Sequence, residues 1–172
     1  MFYLKCTGPV ISHLGLRRKD LFTPTDTTAI LGNWYVNHFP IGRRQAFIFM
    51  SERTLLSFIL MEGRRADIKK LFESFIAGLS QLLELEGFSA EQINRVMESY
   101  SEGAIGPTTS ASHIGSLNSL IQDYLHRIHY HGGVSQCDLG SIIQATNRGP
   151  CKRLAWATAL EGTREVIGAV LA

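Results

Sequence analysis

The stretch LGNWYVNHFPIGRRQAFIFMSERTLLSFILM, from Leu31 to Met61, constrains the fold more than any other part of the chain. It reads as three short strands, 34–39, 45–50 and 55–61, separated by turn signals at Pro40-Ile41-Gly42 and Ser51-Glu52-Arg53. In the first strand Trp34 and Val36 point one way, and Tyr35, Asn37 and Phe39 the other. In the second, Phe47 and Phe49 oppose Ala46, Ile48 and Met50, so both faces are apolar and the strand belongs in the middle of a sheet. Strands joined by short turns are antiparallel neighbours, which makes the block a meander. Phe2, Leu4 and Cys6 alternate with Tyr3 and Lys5, and this supplies a candidate fourth strand.

After the block the period changes. Ile68, Leu71, Phe72, Phe75, Leu79, Leu82 and Leu83 recur at helical steps, predicting an amphipathic helix over 67–86 with Asp67 as N-cap and Gly87 beyond its end. Ser89 and Gln92 have capping-box spacing and open a second helix towards Tyr100. The segment from Gly103 to Thr109 reads as a break. A third helix carries Ile114, Leu117, Ile121, Tyr124 and Ile128, and Gly132-Gly133 stops it. A fourth opens near Ser135 and Asp138 and ends at Gly149-Pro150; the tail from Cys151 reads as two short helices divided at Gly162-Thr163. Before the sheet block, a short helix is expected over 10–16, followed by a polar connection, 17–28, in which mobility is expected.

A chain of 172 residues with 45% hydrophobic and 19% charged residues has the length of one domain, here taken as 1–172. A net charge of +2 gives a nucleic-acid binder little general support. Cys6, Cys137 and Cys151 form no C-x-x-C and no disulfide framework. No apolar run is long enough for a membrane span, and the amino end lacks a signal-peptide pattern. The expected setting is the cytoplasm, without membrane contact.

Several groups invite a chemical reading. His126, His129 and His131 form an H-x-x-H-x-H with metal-ligand spacing. However, His126 lies opposite Tyr124 and Ile128 on the helix, and no H-E-x-x-H is present, so surface histidines at a helix end are the preferred reading. The hydroxyl-rich run from Thr108 to Asn118 offers free backbone N–H groups to an anion, yet it is equally what a helix start uses for capping. Cys6 sits on an apolar strand face, and no serine occupies G-x-S-x-G. The basic pairs Arg43-Arg44, at a hairpin tip, and Arg64-Arg65, just past the meander, are placed to share one edge.

Leu31–Asn37 (L-G-N-W-Y-V-N), Arg43–Gln45 (R-R-Q), Thr54-Leu55 and Ile114–Asn118 (I-G-S-L-N) together resemble a family of uncharacterised small bacterial proteins found on plasmids and other mobile elements. The similarity runs from Met1 to about Tyr124. That family usually has Asn-Arg-Ser before the Gly-Ser; here Ser110 and Ala111 replace the Asn and Arg, so an anion contact by that arginine is not expected. The resemblance implies one compact domain and a mobile-element setting, but brings no activity or active site.

The expected fold is therefore α+β: an antiparallel β-meander of about four strands packed against amphipathic helices, chiefly 67–86 and 114–128. No catalytic residue, metal site or cofactor is assigned, and an enzyme is the less favoured class. The leading functional expectation is a non-enzymatic module that binds and inhibits a partner protein, as an anti-CRISPR-like inhibitor of a bacterial defence complex or an antitoxin would. Arg43, Arg44, Arg64, Arg65, Tyr35 and Asn37 are its candidate binding residues, since Arg and Tyr often anchor interfaces. The alternatives are a nucleic-acid-binding accessory protein using the same arginines, and a metal-dependent hydrolase using His126, His129 and His131. A homodimer is permitted by open strand edges and apolar helix faces, without being required.

Overall fold

The computed structural model describes residues 1–155 and 157–172. The block singled out by its alternating pattern folds as three antiparallel strands, β2 (Trp34–Ile41), β3 (Arg44–Ser51) and β4 (Ser57–Met61). The amino-terminal strand, β1 (Phe2–Cys6), joins the sheet beside β2. It does so in parallel, with Leu4 opposite Trp34 and Cys6 opposite Val36, so the four strands are not one antiparallel meander. Parallel neighbours need a crossover connection. The short helix α1 (Gly8–His13) and the long connection after it supply one.

A further strand, β5 (Gly103–Pro107), pairs in parallel with the other side of β1, giving the order β4-β3-β2-β1-β5. The sequence of β5 reads as a break because it is rich in glycine and ends in proline. Those glycines answer a steric demand. A Cβ at Gly103 would lie 2.6 Å from the ring of Phe72 and 2.7 Å from that of Phe2, and one at Gly106 would lie 2.5 Å from Cγ of Pro24. Only a strand without side chains at these points fits under its neighbours.

Because β2 and β3 are apolar on both faces, both faces are covered. On one, Trp34, Val36, Phe47, Phe49 and Phe58 pack with Leu71, Phe75 and Leu79 of α2 (Ile68–Leu85) and with Ile93 and Val96 of α3 (Ala90–Glu98). On the other, Tyr35, Ile48, Met50 and Ile59 pack with Leu117, Ile121, Tyr124 and Ile128 of α4 (Ala111–Tyr130) and with Ile142 of α5 (Leu139–Asn147). The two long helices thus cover the sheet as expected, but from opposite sides. The result is a mixed α/β layering.

The helix ends follow the sequence signals. The Asp67 carboxylate accepts from the Lys70 N–H at 2.8 Å, Ser89 and Gln92 complete their capping box, and Gly87 takes φ 81° after α2. The tail departs from expectation. Gly162 and Thr163 lie inside one helix, α6 (Ala159–Leu171), started by a capping box between Thr158 and Glu161. The buried Thr163 hydroxyl is spent on Ala159 O at 2.8 Å and Thr54 Oγ1 at 3.0 Å, so it does not break the helix. Ahead of α6 there is only a single 3₁₀ turn, Lys152–Leu154; Trp156, within the other expected tail helix, lies outside the described residues. Among the described residues no helix is long and apolar enough to cross a membrane.

Each sheet edge is covered over part of its length. Beside β5 runs the connection read as mobile: the Phe22 N–H donates to Ile105 O at 2.9 Å, and Asn33 Nδ2 holds Thr25 O at 3.0 Å. Beside β4, the Asn147 side chain imitates a paired strand, accepting from Ser57 N–H at 2.9 Å and donating to Ser57 O at 2.7 Å. All four atoms belong to buried residues. Truncating Asn147→Ala strands a buried donor and acceptor, and is expected to cost about 2–3 kcal/mol. A lower midpoint of urea unfolding with an unchanged slope is the measurement that checks it.

Candidate functional site

Arg43 occupies the turn between β2 and β3, and Arg44 opens β3 opposite Ile41. At the same end, β4 leaves the sheet: Met61 pairs with Ala46 and the Glu62 N–H donates to Gln45 O at 2.9 Å. Arg64 and Arg65 follow directly, and α2 begins three residues later with Lys69 and Lys70 in its first turn. The two arginine pairs therefore do share one end of the sheet.

These cations are not equivalent. Arg65 is used internally, donating from Nη2 to His13 O at 3.0 Å and so satisfying the end of α1. Lys69 stands 3.8 Å from the Glu73 carboxylate, an exposed pair of little energetic weight. Arg43, Arg44, Arg64 and Lys70 have no carboxylate within 4.0 Å among the described residues. Between β3, β4 and α2, below Arg64 and Lys70, lies a hollow of about 270 Å³ walled by Phe47, Phe49, Leu60 and Leu71. Glu62 on its rim is occupied by His13, whose Nε2 lies 3.0 Å from both carboxylate oxygens. The site is an apolar hollow whose rim carries Arg64 and Lys70 beside Glu62 and Glu73, with Arg43 and Arg44 outside its lining at the same end of the sheet.

Tyr35 and Asn37 are placed elsewhere. The pleat turns Tyr35 onto the face under α4, where it is fully buried; its ring stacks on His113 with centroids 5.0 Å apart and its hydroxyl meets Thr109 Oγ1 at 3.1 Å. Asn37 Oδ1 accepts from the Thr7 hydroxyl at 2.7 Å and the His38 N–H at 2.9 Å. The Tyr35 hydroxyl and the Asn37 side-chain oxygen are therefore spent within the chain. Near Tyr35 the buried Lys5 ammonium donates to Glu52 at 2.7 Å and to Thr109 at 3.0 Å. That pair ties β1 to the β3–β4 turn and to the start of α4.

The remaining sequence candidates do not assemble. His126, His129 and His131 are all exposed, and among the described residues no three His, Cys, Asp or Glu side chains are grouped to hold a metal. Ser110 does cap α4, accepting from the His113 N–H at 3.3 Å. The Cys6 thiol is pushed up to about 12 by burial, which keeps it a thiol at neutral pH. Burial likewise raises the phenols of Tyr100 and Tyr124. Sequence reasoning missed Lys69 and Lys70. A usable signal was present: a first helical turn with two lysines and no acid opposes the helix dipole.

Fold and site define a mixed α/β protein that presents free cations around an apolar hollow. The chain belongs to the family described as a domain of unknown function (DUF6933), whose model matches residues 3–161. The match extends beyond Tyr124 to the first turn of α6. No protein of described function matches the chain in sequence.

The thiols supply a pH test of this geometry. At pH 8 Cys6, whose thiolate is favoured only near pH 12, is expected to resist alkylation in the native protein, whereas the partly exposed Cys137 and Cys151 react. Mass spectrometry of iodoacetamide-treated protein, native and in urea, reads this directly. Native labelling of Cys6 at the rate of the other two would contradict the burial described.

Proposed function

We propose that this protein is a non-enzymatic binding module that sets its basic end against an acidic face of a partner protein and inhibits that partner. One observation carries the reading: Arg64 and Lys70 stand without carboxylate partners among the described residues at the rim of the hollow walled by Phe47, Phe49 and Leu60, and Arg43 and Arg44, likewise without partners, lie at the same end of the sheet. A volume of about 270 Å³ is small for a drug-sized ligand but suits one inserted side chain. A buried apolar anchor inside a polar rim is the usual anatomy of a protein–protein contact. Rim charges act mainly on encounter rate and choice of partner. The resemblance to proteins of plasmids and other mobile elements sets this inhibition in that context, where anti-CRISPR proteins and antitoxins act on host or cognate proteins.

The same cations would suit nucleic acid, but a phosphate backbone makes no use of the apolar hollow, so a protein is the favoured partner. The experiment is affinity capture from nuclease-treated bacterial lysate, repeated with an Arg43→Glu/Arg44→Glu/Arg64→Glu variant. Capture of one protein in near-equal amount is expected, with affinity weakened by about tenfold or more in the variant. Recovery of nucleic acid alone, with binding that collapses as salt rises, assigns the basic end to the other class. Equal capture by parent and variant removes the basic end from the interface.

A further inference from the structure

A larger hollow among the described residues lies at the other end of the sheet. A groove of about 1000 Å³ runs along α4, between it and the connection from α5 to α6. Its floor is a run of small residues on α4, Ser112, Gly115, Ser116 and Ser119. Glycine is a poor choice inside a helix of 20 residues. Internal packing does not demand it here, because a Cβ at Gly115 would meet no atom within 4 Å. Gly115 is exposed, and above it the groove is open among the described residues.

The wall contributes charge: Asp123 and Arg127, which also line the groove, are paired with each other at 3.0 Å, and Arg153 is not so paired. Arg153 has no carboxylate within 4.0 Å among the described residues; its Nη1 donates to Ser116 Oγ at 3.1 Å. Its Nη2 lies 3.1 Å from both ring nitrogens of His113. Neither contact is an in-plane hydrogen bond. Nε2 of His113 faces Glu52 O at 3.0 Å, a pure acceptor, and so carries the proton, while Nδ1 takes the Ser110 hydroxyl at 3.0 Å. The guanidinium therefore lies against the face of a ring that is itself stacked on Tyr35, with an interplanar angle of 5°. Stacking holds a planar cation in place and leaves other donors of its fork without partners among the described residues. Lys152 stands beside it, and Leu55, Leu120 and Pro150 supply an apolar stretch along the groove.

We infer that this groove binds a small organic anion, with a carboxylate, sulfonate or phosphate head on Arg153 and Ser116 and an apolar body against Leu55, Leu120 and Pro150. The volume lies at the upper end of the range for small-molecule sites. Bidentate capture of such a head by an arginine is the strong form of a charged hydrogen bond. The basic end used for the partner protein contributes no residue to this site, so the inference stands independently of that reading.

The test titrates the whole protein with 8-anilinonaphthalene-1-sulfonate, an aromatic sulfonate whose fluorescence reports binding. Parent protein is expected to show one saturable site. Arg153→Ala is expected to weaken it by about tenfold or more. Gly115→Leu fills the floor and is expected to abolish binding while melting no lower than the parent, since leucine is the better helix former and meets open space. Bound sulfonate is also expected to slow alkylation of Cys151, which lines the groove, and to leave Cys137, which does not, unchanged. Absence of saturable binding, or binding unchanged in either folded variant, overturns the inference.

Discussion

Strands that are apolar on both faces cannot rest on one layer of helices, and the rest of this structure follows from that constraint. Phe47 and Phe49 on one side of β3, and Ile48 and Met50 on the other, would each leave an apolar face in water without a second cover. The chain meets this by sending α2 and α3 to one face, adding β5, and then crossing to lay α4 and α5 on the other. The largest aromatic in the described core carries a polar atom with it. Trp34 Nε1 donates to the Tyr100 hydroxyl at 2.9 Å, which donates in turn to Gly32 O at 2.9 Å. Burial without that relay would strand an indole N–H in an apolar layer.

Covering the faces leaves the edges, and the edges decide which surfaces remain for partners. An open strand edge invites pairing with another chain. Here the Phe22–Pro24 segment lies along β5, where Pro107 already lacks a donor, and Asn147 with α5 closes the start of β4. Gly78 lets α2 press down on β4 so closely that a Cβ there would lie 2.5 Å from the Phe58 ring. Strand addition is thereby blocked at Ile105 and at Ser57, where outward backbone groups are already taken. What is left is the two ends of the sheet: the basic turns at one and the groove beside α4 at the other.

Local chemistry was legible in the sequence, and encounters between distant segments were not. Asp67, Ser89 with Gln92, Gly87 and Gly132-Gly133 marked helix ends because a cap is made within a few residues. The facing of Trp34 against Tyr35 followed from period two alone. By contrast, β5 hid behind Gly103, Gly106 and Pro107, whose composition answers to Phe2, Phe72 and Pro24 across the fold. Parallel pairing of β1 depends on a crossover whose length permits either direction. Tyr35 looked like an exposed anchor because its type favours interfaces, yet the pleat set it under α4. Arg43, Arg44 and Arg64 were readable because turn residues stay at the surface. The groove was not, since Ser116 and Arg153 are 37 residues apart and meet only in three dimensions.

The charges themselves separate structure from function. Lys5 is buried, and removing an ammonium from water is costly unless a carboxylate and further donors and acceptors surround it. Glu52, Thr109 and the nearby Tyr35 ring provide those surroundings, so its charge is consumed in joining three segments. Glu86 is treated in the same way by Arg148, at 2.6 and 2.9 Å. Inside the molecule, then, each ion has been matched. At the basic end the rule is abandoned: Lys69 and Lys70 sit in the first turn of α2, where the helix already presents its positive pole, and neighbouring arginines add to the same potential. Arg65 apart, which holds His13 O, the cations gathered there add little to folding, and their mutual repulsion works against it. A chain with a net charge of only +2 thus sets Arg64 and Lys70, without carboxylate partners among the described residues, at the rim of one apolar hollow, with Arg43 and Arg44 at the same end of the sheet.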